Sequence, residues 1–279
     1  MDGFTGRLTD QIRKDSPLVH CMTNYVTAND CANVLLACGA SPIMADDEEE
    51  VREITSLCDA LVLNLGTPSV KKLNAMLLAG KKAGEMGIPV IFDPVGAEAS
   101  SFRRSGVKKL LEEVRFSIIK GNVSEIKALV SGFGAEKGVD ASNQDKLDEK
   151  TNLESLIQLS QILWERTGSV VVMTGVNDLV VSGKSVWMVK NGHSMMGRIT
   201  GSGCMLSALM GAYSSIAKGE LEKAALAALA AEGVCGQKAG QKAEKRQEGT
   251  GSFRVYFMDE ISRMSGAELE KEKTIIRLR

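Results

Sequence analysis

Four short apolar runs recur along the chain: DALVLNLG (59–66), GIPVIFDP (87–94), RFSIIKGN (115–122) and GSVVVMTG (168–175). Each has the length of a strand and stops on Gly, Asn, Asp or Pro. Unbroken rather than alternating apolarity predicts strands covered on both faces, as in a parallel sheet. Between them, SVKKLNAMLLAGKKAGEMG (69–87) and TNLESLIQLSQILWERTG (151–168) carry a helical period and close on glycine. Strand–helix–strand repetition predicts an α/β fold, with a mostly parallel sheet and helices on both faces. One segment, DLVVSGKSVWMVKNG (178–192), alternates and turns at Gly183-Lys184, which predicts a late antiparallel hairpin.

The 279 residues contain no internal repeat, and the polar, glycine-bearing stretch 132–150 reads as a surface loop rather than a linker. Residues 1–279 are therefore expected to form a single domain. Two long helices are expected within 203–243, the second (221–245) being nearly all small residues on one side. Its internal glycines cost roughly 1 kcal/mol each against alanine, and close packing is the expected compensation. A net charge of −1 argues against nucleic acid or an acidic membrane as a partner. The N-terminus lacks a basic-then-apolar leader, so a soluble, cytoplasmic protein is expected. The six cysteines (21, 31, 38, 58, 204, 235) form no C-x-x-C pair, and only His20 and His193 could join them. That pattern argues against a zinc site or a disulfide framework.

Two tempting motifs fail on context. DLVVSGKS (178–185) resembles a phosphate-binding loop but begins on Asp178 and falls inside the hairpin. GSGCML (201–206) has Leu206 where a dinucleotide fingerprint needs its last glycine. The polar residues at strand ends remain, since ligands of open α/β sheets bind at the carboxyl ends of the strands. Asp93 ends one strand, Lys120 and Asn122 the next, and Thr174 a third. Glu125 follows Asn122 by three residues, so it is either half of a capping box or a ligand. Asp93, before Pro94, either closes a turn or binds. Two carboxylates, a cation and the glycine-rich helix start RITGSGC (198–204) suit magnesium and phosphates.

Taken in order, SPLVHCMTNYVTANDCANVLLACGASPIMA (16–45), LVLNLGT (61–67), IPVIFDPVGA (88–97), IIKGNVSEI (118–126), VVMTGVNDLV (171–180), RITGSGCMLSALMGAY (198–213) and GTGSFRVYFMDEI (249–261) resemble the hydroxyethylthiazole kinases. The resemblance implies a ribokinase-like, three-layer α/β/α fold. It implies ATP-dependent phosphorylation of the hydroxyl of 4-methyl-5-(2-hydroxyethyl)thiazole, for thiamin salvage. It further implies that Met44 and Gly201 contact the thiazole, with Asn24 a candidate wall of its pocket. Lys120 and Thr174 would contact ATP, Asp93 and Glu125 would hold magnesium mostly through water, and Cys204 would be catalytic. A homotrimer with sites at subunit boundaries is implied as well. Members of that family often carry arginine at position 120; lysine keeps the charge but loses bidentate phosphate contact, so nucleotide affinity is the property affected. Thr250 stands where a proline is common. The rival readings are a hydroxymethylpyrimidine-type kinase of the same fold, disfavoured by Cys204 and VHCMTN, and a thiazole binder without turnover.

A thiol at the first turn of a helix can be a packing residue, a nucleophile or a base. A free thiol has a pKa near ~8.5, lowered at a helix N-terminus, which predicts a thiolate fraction at neutral pH. Gly201, Ser202 and Gly203 would frame an anion hole for the developing phosphoryl charge. Phosphoryl transfer rests on positioning and electrostatics, so Cys204 is expected to be a base or orienting residue, not a covalent nucleophile.

Overall fold

A computed structural model describes residues 3–132 and 149–279; the expected loop at 132–150 falls almost wholly outside the described residues. One sheet of nine strands runs through the protein in the order β2-β1-β3-β4-β5-β6-β7-β8-β9. Its strands are β1 (Leu18–Met22), β2 (Ser41–Ile43), β3 (Ala60–Asn64), β4 (Val90–Asp93), β5 (Ile118–Asn122), β6 (Val170–Thr174), β7 (Asp178–Ser182), β8 (Ser185–Val189) and β9 (Ile275–Arg277). The first six run parallel to one another, and β7, β8 and β9 are added antiparallel from β6 outward.

The four apolar runs are the inner strands β3 to β6, and the hairpin turns at Gly183 (φ 61°) as expected. Three strands are additional to those readings. LVHCM forms β1, SPI forms β2, and the last residues pair β9 against β8. They are short and lie towards the edges, where neither length nor continuous apolarity marks a strand.

Two apolar layers enclose the sheet. Along β3, Ala60 and Val62 face one layer while Leu61 and Leu63 face the other. On the first side pack α1 (Phe4–Asp15), α2 (Ala28–Cys38), α8 (Ser202–Ile216), α9 (Leu221–Lys245), α10 (Thr250–Arg263) and α11 (Gly266–Glu272). On the second lie α3 (Val51–Ser56), α4 (Val70–Met86), α5 (Ser101–Glu113), α6 (Val123–Gly132) and α7 (Glu149–Thr167). Both faces of the central strands are thus buried, which is why their sequence does not alternate.

The close approach expected of α9 is visible residue by residue. A Cβ added to Gly233, Gly236 or Gly240 would come within 2.7 Å of Asn191, 2.3 Å of Met196 and 2.2 Å of His193. These glycines let α9 lie directly on the segment from Asn191 through a 3₁₀ turn, Ser194–Arg198, that leads into α8.

The strand order also locates a crevice. From β1 the chain moves outward to β2, then returns across β1 to β3. The direction of winding reverses between β1 and β3, and ligands of doubly wound sheets bind at such a reversal.

Candidate active site

Asn24 follows β1 and Asn64 ends β3, so the reversal is bordered by two buried asparagines. The Asn24 amide donates to Asn64 Oδ1 at 2.9 Å and to Cys204 Sγ at 3.4 Å. Asn64 donates to Cys204 Sγ at 3.3 Å and to Asp93 Oδ2 at 2.7 Å. Both orientations are fixed by the chain itself. Asn24 Oδ1 accepts from the backbone of Val26 and Thr27, and Asn64 Oδ1 accepts from that of Gly66. The sulfur therefore receives N–H groups from both sides of the crevice.

Cys204 lies in the first turn of α8. Its N-cap, Gly201, has φ 90°, a left-handed conformation that glycine adopts without a Cβ penalty. A Cβ there would also meet Thr27 at 2.9 Å. The first backbone bond into the helix runs from Met205 N to Gly201 O. The amides of Ser202, Gly203 and Cys204 precede it and have no partner within the helix, as an anion hole requires.

Below this turn, Lys120 is buried and donates to Asp93 Oδ1 at 3.0 Å and to the Gly203 carbonyl at 3.0 Å. Asp93 also accepts from Ser207 Oγ at 2.8 Å. The Asp93 carboxylate is thus engaged by Lys120, Asn64 and Ser207. Burial alone would lower the Lys120 pKa, but Asp93, Glu125 and Cys204 together hold it above its ordinary value. It is a buried cation beneath the first turn of α8.

Glu125 forms the capping box. Its Oε2 accepts from Asn122 N at 2.9 Å, and Asn122 Oδ1 accepts from Glu125 N at 2.9 Å. Oε1 accepts from Gly96 N at 3.1 Å, tying the end of β5 to the loop after β4. From α5, Arg103 donates to the carbonyls of Leu65, Gly66 and Val95, fixing the loops after β3 and β4. Thr174 ends β6 across from Asn122 in register. Nearby Asp178 is pushed up to about 6 by burial, although Gly175 N and Lys120 oppose the shift.

A cavity of about 1070 Å³ opens beside β1 and is lined by Thr23, Asn24, Met44, Asp46, Lys72 and Arg103 among others. Asn24 is both its wall and a donor to Cys204, so one residue links the cavity to the thiol. The structure joins Asn24, Asp93, Lys120, Gly203 and Cys204 in one hydrogen-bonded network. Gly201 abuts it through Thr27, Glu125 through Gly96, and Met44 shares the cavity. Thr174 is linked through strand register. Asn64, Ser207, Arg103 and Lys72 are additions; of these, Asn64 alone stood in plain view, as the polar end of an apolar run.

One expectation is corrected. The Cys204 pKa lies above its ordinary value rather than below it: burial, then the nearby Asp93 carboxylate, raises it, with Thr27 and Lys120 opposing. The resting group is a neutral thiol. The other thiols match their reading as small buried residues, with Cys38 and Cys58 each pushed up to about 11.

Comparison with known proteins bears on the family and the fold. The family model described as hydroxyethylthiazole kinase matches residues 9–267. A hydroxyethylthiazole kinase of Clostridium acetobutylicum is 47% identical over 261 residues, covering 94% of this chain and 95% of that protein. One of Desulfovibrio desulfuricans is 45% identical over 278 residues, covering 97% of each. Among solved structures, a hydroxyethylthiazole kinase of Pyrococcus horikoshii superposes with a TM-score of 0.87 at 33% identity, over 99% of both chains. Pyridoxal kinase of Staphylococcus aureus (TM-score 0.60, 13% identity, 79% of this chain and 87% of that one) shares the fold alone. A ribokinase-like protein of Enterococcus faecalis does likewise, at a TM-score of 0.52 and 11% identity over 88% of each chain. Matched over nearly its whole length, the chain belongs to the hydroxyethylthiazole kinase family.

Proposed function

We propose that the protein transfers the γ-phosphoryl group of ATP to the hydroxyl of 4-methyl-5-(2-hydroxyethyl)thiazole, acting as one kinase domain over residues 1–279 in thiamin salvage. The observation that carries this reading is the position of the Cys204 sulfur. It accepts from Asn24, which lines an open cavity, and from Asn64, and it lies in the first turn of α8, whose free amides suit a phosphoryl group. The thiazole alcohol occupies the cavity against Met44 and Asn24, with its hydroxyl at Cys204 and Gly201. Lys120 and Thr174 meet the nucleotide at the strand ends, and Lys120 and the α8 amides stabilise charge on the transferring group.

The new bond joins the acceptor oxygen to the γ-phosphorus while the bond to the β,γ-bridging oxygen breaks. The hydroxyl donates a hydrogen bond to the Cys204 sulfur, which orients it. In the thiolate form the sulfur also takes its proton. The Asn24 and Asn64 amides point at the same atom and favour that anion. A loose transition state asks little of the base, so a mostly neutral thiol is compatible with turnover.

Magnesium fits this site in a limited way. Every oxygen of Asp93 and Glu125 already accepts a protein hydrogen bond, so the ion fits as one carried by phosphate oxygens and water, with Asp93 and Glu125 as outer carboxylates. When bound, it would neutralise phosphate charge. In a homotrimer with sites at subunit boundaries, a neighbouring copy would cover exposed Tyr25, at the cavity, and Val26 beside it. No described helix is long and apolar enough to cross a membrane.

The deciding experiment gives the purified protein MgATP with the thiazole alcohol or hydroxymethylpyrimidine in parallel, and identifies product by mass. Phosphorylated thiazole alone is expected. Phosphorylated pyrimidine alone would transfer the chain to the rival kinase activity, and thiazole binding without product would make it a binder.

A further inference from the structure

Lys72 occupies a position that physical chemistry disfavours three times over. It is the third residue of α4, whose N-cap Ser69 accepts from Lys72 N, so its charge lies at the positive end of a helix dipole. Its side chain is buried, at 8% exposure, where a charge is costly to desolvate. It also forms no ion pair among the described residues. Burial lowers its pKa accordingly, with Asp46 and Cys21 partly offsetting the shift. Nothing in the packing of α4 demands an ammonium here.

The side chain lines the large cavity and donates one N–H to the carbonyl of Thr23. An ammonium has three such donors, so two remain for whatever enters. Thr23 directly precedes Asn24, which donates to Cys204. Ammonium and sulfur therefore flank the same end of β1. The chemistry of the missing partner can be narrowed further. Asp46 lines the same cavity, so an anionic ligand would meet a carboxylate as well as the ammonium. A neutral heterocycle carrying an in-plane lone pair accepts from one of the two donors without adding charge, leaving the other for water.

We propose that Lys72 is a specificity-determining residue that donates a hydrogen bond to the ring nitrogen of the acceptor. This inference rests on assigning the cavity to the thiazole alcohol. The hydroxyl arm is directed to Cys204 and the ring nitrogen to Lys72, so the two contacts fix the ring in one orientation. A ring lacking that nitrogen leaves the buried ammonium without its partner, the situation that gives polar recognition its discrimination.

The test compares the thiazole alcohol with its thiophene analogue, in which a C–H replaces the ring nitrogen. Both are assayed on the purified intact protein. The wild type is expected to favour the thiazole in kcat/KM by roughly tenfold or more, the difference lying mainly in KM. In Lys72→Met the preference collapses towards parity, while Lys72→Arg, which keeps N–H donors, retains part of it. Lys72→Leu serves if the Met variant is insoluble. A wild type that handles both alcohols equally overturns the proposal without any variant. So does a preference that survives unchanged in Lys72→Met. Failure to phosphorylate the thiazole at all is a separate result, which removes the functional reading along with the inference.

Discussion

The side-chain amide of Asn64 donates to the sulfur of Cys204 across 3.3 Å, from strand β3 to helix α8. With Asn24 as a second donor, the sulfur is placed as an acceptor whose own proton is held tightly by burial. Cys204→Ala is expected to lower kcat by roughly 10²-fold with little change in KM for ATP. Because the thiol pKa is raised, the thiolate is the minor form at neutral pH and grows as pH rises into and above the ordinary thiol range. The kcat of the wild type should therefore climb through pH 8 to 10, and this rise should vanish in the alanine variant. A pH–rate series on both proteins measures it. Equal turnover by the two would reduce Cys204 to packing.

The Lys120–Asp93 pair is a buried ion pair, so removing one partner strands the other charge. Lys120→Met should cost about 3–5 kcal/mol of stability. Asp93→Asn added to it removes the stranded carboxylate and should recover a large part. Urea unfolding of the two single variants and the double variant gives the coupling between them. Additive losses would mean that the pair is not coupled in the folded protein.

Glu232, on α9, is buried and its Oε1 has no hydrogen-bond partner. Burial, with Asp178 adding to it and Lys120 opposing, raises its pKa well above the usual carboxylate value. A carboxyl raised in the folded state favours folding fully only below its unfolded pKa, about 4.3. That contribution is lost as pH rises towards the folded value. Glu232→Gln should consequently have a higher Tm than the wild type at pH 7 and a similar one near pH 4. A variant less stable at pH 7 would contradict the assignment of a neutral, buried acid.

Two glycine-to-alanine changes within helices should have opposite signs. Gly84, exposed on α4, has nothing within 4 Å of an added Cβ, so Gly84→Ala should stabilise by about 0.5–1 kcal/mol. Gly240 faces His193 at 2.2 Å, so Gly240→Ala should destabilise by about 1–3 kcal/mol despite the better helix propensity. Denaturant midpoints of the two variants decide the comparison.

The inner sheet was legible because β3 to β6 are covered on both faces and leave unbroken apolar runs. Asp93, Lys120 and Cys204 were legible as polar or reactive residues where such runs and a glycine-rich helix start end. What escaped is long-range. Nothing local in LVHCM says that β1 borders the winding reversal, and so nothing indicated that Asn24 would meet Asn64, 40 residues away. The thiol's raised pKa also depends on what surrounds it in three dimensions. Helix position alone gave the opposite sign, because it takes no account of burial and of the Asp93 carboxylate, which raise the pKa. Glu125 remained ambiguous since one spacing serves both a capping box and a ligand, and the structure displays the cap.

Asn64 and Asp93 are partners in register on adjacent strands, and Lys120 stands one step beyond the Phe92–Ile119 pair. The lateral spacing of these three side chains is accordingly the strand-to-strand repeat of a sheet, about 4.8 Å. That repeat is a ruler written in backbone hydrogen bonds. Substitutions that respect strand pairing can alter which groups stand on its marks, but they leave the marks themselves where they are. On the proposed function, changes in the cavity around Met44 and Lys72 would alter which acceptor fits, while the spacing of Asn64, Asp93 and Lys120 would be inherited unchanged.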